Sequence, residues 1–251
     1  MYILNKEEEK DMYSINNTYY MEPILNKLNS YVEKNNISWQ QAFNKIYEVL
    51  LNSKDDVKFL VNERIKRGEI KNIDQAMKSI AGNAFSNSIV YIFLKNKIQG
   101  YIKPNIFITS RKKRIKNFNK ITAIQVGDQI QKPDIDLVIY NQNFDKSIKF
   151  IILSLKTSMR ERAGQTYKWK LLLEIATTEN PIKDKYNIFY SNSEIPYICF
   201  ATVNFYNEIY QPQHRGILKF FDKSFIAKEI TPKDFIEPLS NLVDFVNEKL
   251  G

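Results

Sequence analysis

Two aspartates and a lysine carry the first chemistry this sequence offers. The run Lys132-Pro133-Asp134-Ile135-Asp136 leads into an apolar segment, and twenty residues after Asp136 a second apolar segment ends in Ser154-Leu155-Lys156. Side chains alternate along a strand, so Asp134 and Asp136 share one face, and Ser154 and Lys156 share one face of the neighbouring strand. Carboxylates and an ammonium can then converge at a sheet edge. Phosphodiester hydrolysis needs that combination: carboxylates hold one or two Mg²⁺ ions that polarise the phosphate and acidify a water, and a lysine orients or helps deprotonate that water.

With Ser154 two residues before the lysine, a further carboxylate has to come from elsewhere. Glu174 is the candidate, in Tyr167-Lys168-Trp169-Lys170-Leu171-Leu172-Leu173-Glu174, because a carboxylate among leucines needs a partner or a metal. The alternative for Glu174 is a helical pair with Lys170 at i−4. Just beyond Lys156 stands Arg160-Glu161-Arg162. Arginine can donate two hydrogen bonds to guanine and a glutamate can accept from cytosine N4, so this element suits G- and C-containing major-groove reading. Lys168 and Lys170 are placed to meet phosphates, and Arg111-Lys112-Lys113-Arg114-Ile115-Lys116 could track a phosphate backbone as a loop.

Several elements must position these groups. Helical spacing runs over Glu22–Leu51 and Asp56–Arg67, with Gly68 as a stop. A third helix begins with Asn72 as cap and runs to Phe93, and Gly82 inside it suggests close packing. After Gly100, β-branched and aromatic segments over Asn105–Thr109, Ile121–Val126, Ile135–Tyr140 and Ile148–Leu155 read as strands, the last two joined by a polar turn as antiparallel neighbours. A helix over Arg162–Ala176 follows. Strands are expected over Tyr197–Asn204 and Gly216–Phe221, His214 lies in the turn between them, and a helix over Pro232–Leu250 ends the chain. This order predicts an α/β fold, a mixed central sheet flanked by helices, with an N-terminal helical region over 1–70 and a catalytic part over 71–251 packed as one unit.

Composition narrows the chemistry further. Cys199 is the single cysteine and His214 the single histidine, which removes structural zinc clusters and Ser-His-Asp or Cys-His catalysis. Thirty-seven Lys and Arg against 28 Asp and Glu give a formal charge of +9, which favours a polyanionic partner. No apolar run approaches the roughly 20 residues that span a bilayer. Together with the absence of a basic, apolar leader, this predicts a cytoplasmic protein without membrane contact.

The residues from Ser154 to Gln165, Ser-Leu-Lys-Thr-Ser-Met-Arg-Glu-Arg-Ala-Gly-Gln, resemble the active-site and recognition segment of the CCGG/CCxGG-reading Type II restriction endonucleases, in particular the BsaWI-like enzymes with their NgoMIV and EcoRII relatives. Asp136-Leu137-Val138-Ile139, Ala81-Gly82-Asn83-Ala84-Phe85 and Ala201-Thr202-Val203-Asn204 extend the resemblance over about half of the chain. It implies a PD-(D/E)xK restriction-endonuclease-like fold in which the lysine strand carries S-x-K and the next helix supplies the missing acid, matched here by Ser154, Lys156 and Glu174. It also implies that Arg160, Glu161 and Arg162 read the CC and GG pairs. Asp136 and Glu174 would hold Mg²⁺, with Asp134 as neighbour or second ligand. The family's long helix often adds a glutamate after the Gly-x-Ala-Phe turn, where Ser86 and Asn87 stand in this chain. The expected protein is a homodimer that cuts both strands of a palindromic DNA duplex. Two rivals are a structure-specific or nonspecific nuclease of the same active-site type and a DNA-binding protein without catalysis.

Overall fold

The structure is a computed structural model that describes residues 2–141, 148–158, 163–230 and 235–251. Helices α1 (Lys6–Asn16), α2 (Met21–Asn35), α3 (Trp39–Ala42), α4 (Ile46–Asn52) and α5 (Lys54–Lys66) lead to the long α6 (Ile73–Gln99). Then come β1 (Ile106–Thr109), α7 (Phe118–Ile121), β2 (Ile124–Val126), β3 (Gln129–Gln131), β4 (Leu137–Asn141), β5 (Phe150–Lys156), α8 (Ala163–Thr177), α9 (Pro181–Tyr186) and β6 (Ile188–Tyr190). The chain ends with β7 (Tyr197–Thr202), α10 (Pro212–Leu218), β8 (Lys223–Ile226), β9 (Ile236–Pro238) and α11 (Leu242–Leu250).

Among the described residues, six strands form the main sheet in the order β1-β4-β5-β7-β8-β9, and β3-β2-β6 form a small second sheet. β1, β4 and β5 are antiparallel neighbours, whereas β5, β7, β8 and β9 run parallel. The expected mixed sheet flanked by helices is therefore present, and β4 and β5 pair as the sequence predicts. Alternation along β5 divides two cores. Ile151, Leu153 and Leu155 join the core that also holds Phe85, Ile89 and Phe93 of α6. Phe150 and Ile152 join the opposite core with Trp169 and Leu173 of α8. The first core runs from Ile15 of α1 to Leu250 of α11, so the N-terminal helices pack on the same apolar body as the sheet.

Local signals set the ends of α6. The Asn72 side chain accepts from the Gln75 amide, and Gly100 leaves the helix at φ +86°, a left-handed conformation that costs glycine least. Elsewhere the structure corrects the sequence expectations. The Glu22–Leu51 helix is broken, because Asn36 turns left-handed at φ 48° and Ser38 caps a new start at α3. Only Ile124–Val126 of the Ile121–Val126 strand is extended, and Ile121 closes α7.

Gly216–Phe221 is not a strand. Pro212 stands at the first turn of α10, Gly216 lies inside that helix, and the strand starts at Lys223. His214 is therefore on α10, its Nδ1 3.3 Å from the Glu208 carbonyl oxygen. The Pro232–Leu250 helix shrinks to Leu242–Leu250, because Ile236–Pro238 adds an edge strand beside β8. Residues 232–234 of that expected helix and 142–146 of the expected hairpin turn lie outside the described residues.

Candidate active site

The antiparallel register pairs Leu137 with Leu153, which sets Asp136 across from Ser154, one step beyond the end of β4. The Asp136 carboxylate fills this corner. Its Oδ2 accepts from the Leu155 amide at 2.7 Å, from Lys156 Nζ at 2.9 Å and, at the long limit of 3.5 Å, from Ser154 Oγ. Asp134 Oδ2 stands 3.6 Å from the same ammonium. Lys156 is thus shared by two carboxylates, and its side chain is 10 % exposed against 31 % for Asp136 and 53 % for Asp134. The two aspartates and the lysine that the sequence singled out meet at one corner, with Asp134 and Asp136 just ahead of β4 rather than within it.

Ser154 is fully buried, and its hydroxyl lies 2.9 Å from Thr166 Oγ1. Thr166 fastens the first turns of α8 to the end of β5, a role that sequence reasoning missed. The only signal was a hydroxyl early in the helix that follows Lys156. Arg160, Glu161 and Arg162 lie outside the described residues.

The structure does not bring Glu174 to this corner. Its Oε1 is 2.6 Å from Lys170 Nζ, and the side chain is 52 % exposed. Lys170, expected to meet phosphate, is buried instead and also donates to both oxygens of Asp222, at 2.9 and 3.1 Å. Burial works against the Lys170 ammonium, but the hydrogen bonds and charges of Glu174 and Asp222 outweigh it and raise its pKa above the ordinary lysine value. Asp222 in turn accepts from the Ile198 amide at 2.6 Å, and Ile198 pairs with Ile152. Ile152 is four residues before Lys156, or about 13 Å along a strand. Glu174 lies eight residues beyond Thr166, about 12 Å along a helix. α8 therefore carries it away from the Lys156 end of β5. Lys168 remains exposed.

A cleft of about 1070 Å³ opens at the corner. Asp136, Leu155, Lys156, Thr157 and Ser158 line one side, and Lys78, Ser79, Gly82, Asn83, Ser86 and Asn87 of α6 line the other. Ser86 and Asn87 therefore do face the site, as hydroxyl and amide groups. Gly82, expected to pack closely, has no atom of the described residues within 4 Å of where a Cβ would stand. The loop after β7 also reaches the cleft through Phe205 and Tyr206. Its shape is set by left-handed Asn204 and Asn207 and by the Phe205 amide donating to the Thr157 carbonyl at 3.4 Å. No signal in the sequence pointed to that loop.

The donor set fits Mg²⁺ of the kind bound by one or two carboxylates, with water and substrate oxygens completing the shell. Asp136 directs its three internal hydrogen bonds to Oδ2, which leaves Oδ1 available in the cleft. Asp134 is the nearby second carboxylate. Among the described residues there is no group of three His, Cys, Asp or Glu side chains that could hold a metal without such help.

A mixed sheet with Asp and Lys converging at the ends of two antiparallel strands, beside a long helix and an open cleft, defines a restriction-endonuclease-like nuclease. The profile of the BsaWI type 2 restriction endonuclease family matches residues 113–248, and the chain belongs to that family. It is also similar to "Putative type II restriction enzyme MjaVIP" of Methanocaldococcus jannaschii, with 26 % identity over 176 residues that cover 62 % of this chain and 74 % of the relative. Among the described residues, no helix is long and apolar enough to cross a membrane.

Proposed function

We propose that this chain is a Mg²⁺-dependent Type II restriction endonuclease that hydrolyses both strands of a palindromic DNA site with a CCGG or CCxGG core, leaving 5′-phosphate and 3′-hydroxyl ends. One observation carries the reading: the Lys156 ammonium stands 2.9 Å from Asp136 and 3.6 Å from Asp134, and Lys156 and Asp136 line a cleft of about 1070 Å³. Bound Mg²⁺ would supply Lewis-acid activation of the phosphate and a more acidic water. Asp136, through Oδ1, and Asp134 would hold it.

The protein's own groups do the rest. The Leu155 amide and Lys156 fix the Asp136 carboxylate in one orientation, so its free oxygen is presented to the cleft before substrate arrives. Lys156 orients the attacking water and balances charge on the phosphate. Ser154, tied to Thr166, keeps the end of β5 and the start of α8 in register. Arg160, Glu161 and Arg162 follow within six residues of Lys156, the right reach for base reading beside the cut phosphate, and exposed Lys168 adds a phosphate contact. A palindromic site calls for a symmetric reader, hence a homodimer acting in the cytoplasm.

Incubating the protein with a plasmid of known sequence, with and without Mg²⁺, and sequencing the fragment ends tests this reading. Discrete, metal-dependent fragments that share a GC-rich palindrome are expected. Smearing would replace sequence-specific cleavage by nonspecific cleavage, and intact DNA carrying both CCGG and CCxGG sites would overturn the proposal.

A further inference from the structure

Gly82 stands inside the 27-residue helix α6, nine residues from its first residue, Ile73. Glycine is among the least favourable residues in a helix interior, and it is usually kept there because another element approaches too closely for a side chain. Among the described residues there is no such neighbour, since a Cβ at Gly82 would meet none of their atoms within 4 Å. The open space beside it is the cleft that also holds Asp136 and Lys156.

The surrounding wall has a particular chemistry. Ser79, Asn83 and Ser86, on the same helix face as Gly82, offer two hydroxyls and an amide to the cleft, and Lys78 adds one ammonium. No carboxylate of α6 lines it. Neutral donors with a cation and no acid suit the sugar-phosphate backbone, which accepts hydrogen bonds and carries one negative charge per phosphate. They do not single out a base edge.

We infer that Gly82 is a substrate-clearance position: the backbone of the strand being cut passes against α6 at Gly82, while its reacting phosphate lies against Asp136 and Lys156. Ser79, Asn83 and Ser86 donate to the flanking phosphates, and the missing Cβ allows the strand to approach. Gly82 acts as a positioning residue through the substrate's placement. The inference deepens the nuclease reading and rests on it.

Gly82→Ala and Gly82→Leu test it, because stability and function should move in opposite directions. The alanine methyl would meet no described residue within 4 Å, and both residues favour helix over glycine, so thermal melting should rise by about 2–4 °C for alanine. Mg²⁺-dependent plasmid cleavage in single turnover should fall, by about 10²-fold for leucine and less for alanine. Binding of a fluorescein-labelled CCGG duplex in EDTA, read by anisotropy, should weaken in parallel.

A leucine variant that melts no lower than the parent and both binds and cuts like it overturns the inference alone. A leucine variant that melts well below the parent makes Gly82 a packing position and also overturns it. If the parent protein neither binds nor cuts the DNA, the nuclease reading fails first and this inference falls with it.

Discussion

Lys156 is the residue on which the site converges, since its ammonium meets Asp136 and Asp134 together while Asp136 Oδ2 also accepts from the Leu155 amide. Lys156→Met keeps the length and apolar stem of the side chain but removes the charge and the donor. It should lower the single-turnover cleavage rate by about 10²–10⁴-fold with duplex binding largely retained, the range typical of a lost proton-handling group. Glu174→Gln is the contrasting substitution. Glu174 is half exposed, and its partner Lys170 keeps Asp222, so the cleavage rate should stay at the parent value and stability should fall by no more than about 1 kcal/mol. Rates measured side by side decide the acid set: a Glu174→Gln loss as large as that of Lys156→Met would return Glu174 to the metal site. The sequence alone could not make this choice. Pairing with Lys170 and service to a metal both fit a glutamate among leucines, and what separates them is Asp222, 52 positions from Lys170 in the chain.

α6 is the element that joins the N-terminal helices to the catalytic sheet. One face is buried through Ile80, Ala84, Phe85, Ile89 and Phe93, while Lys78, Gly82 and Asn83 face the cleft. Near its C-terminal end the buried Lys97 donates to Glu8 of α1 and to the Ile106 carbonyl of β1, binding three elements at one ammonium. Burial pulls the Lys97 pKa down, against the raising pull of Glu8. Removing either partner strands a buried charge, so Glu8→Leu or Lys97→Met should each cost about 3–5 kcal/mol in chemical denaturation. The double variant Glu8→Leu/Lys97→Met should lose much less than the sum, because a pair of apolar side chains leaves no stranded charge. Strict additivity would show that the pair does not hold α1 in place. The start of α6 was legible because Asn72 acts locally, whereas the helix runs to Gln99, six residues beyond the expected end at Phe93, and β4 and β5 were legible from their β-branched runs. α10 and β9 were not. The apolar run Ile217-Leu218 fits a strand or a buried helix equally well, and Ile236–Pro238 is extended because β8 supplies an edge to pair with.

At the scale of the whole molecule, the formal charge of +9 matters through where it is free to act. The basic run at 111–116 is anchored as well as charged. Arg114 forms ion pairs with Asp11 and Glu7, and Ile115 is buried, so α1 fixes the segment while Lys112, Lys113 and Lys116 remain exposed. Ser110, one residue before the run, lines the cleft. DNA seated at Asp136 therefore has these lysines within a short reach. Cations that meet phosphates release counterions, and each contact contributes about −0.9 to the slope of log K against log salt. Lys112→Gln/Lys113→Gln should weaken duplex binding equally for cognate and unrelated sequences and make that slope shallower by about 1.8, if both meet phosphate. Arg114→Gln should act differently, lowering the melting temperature through the loss of its ties to α1 with little change in the slope. Anisotropy titrations of the three proteins across a series of salt concentrations separate these effects. A double lysine variant with the parent's slope would place the run outside the DNA path and leave phosphate neutralisation to Lys78, Lys168 and the segment after Lys156.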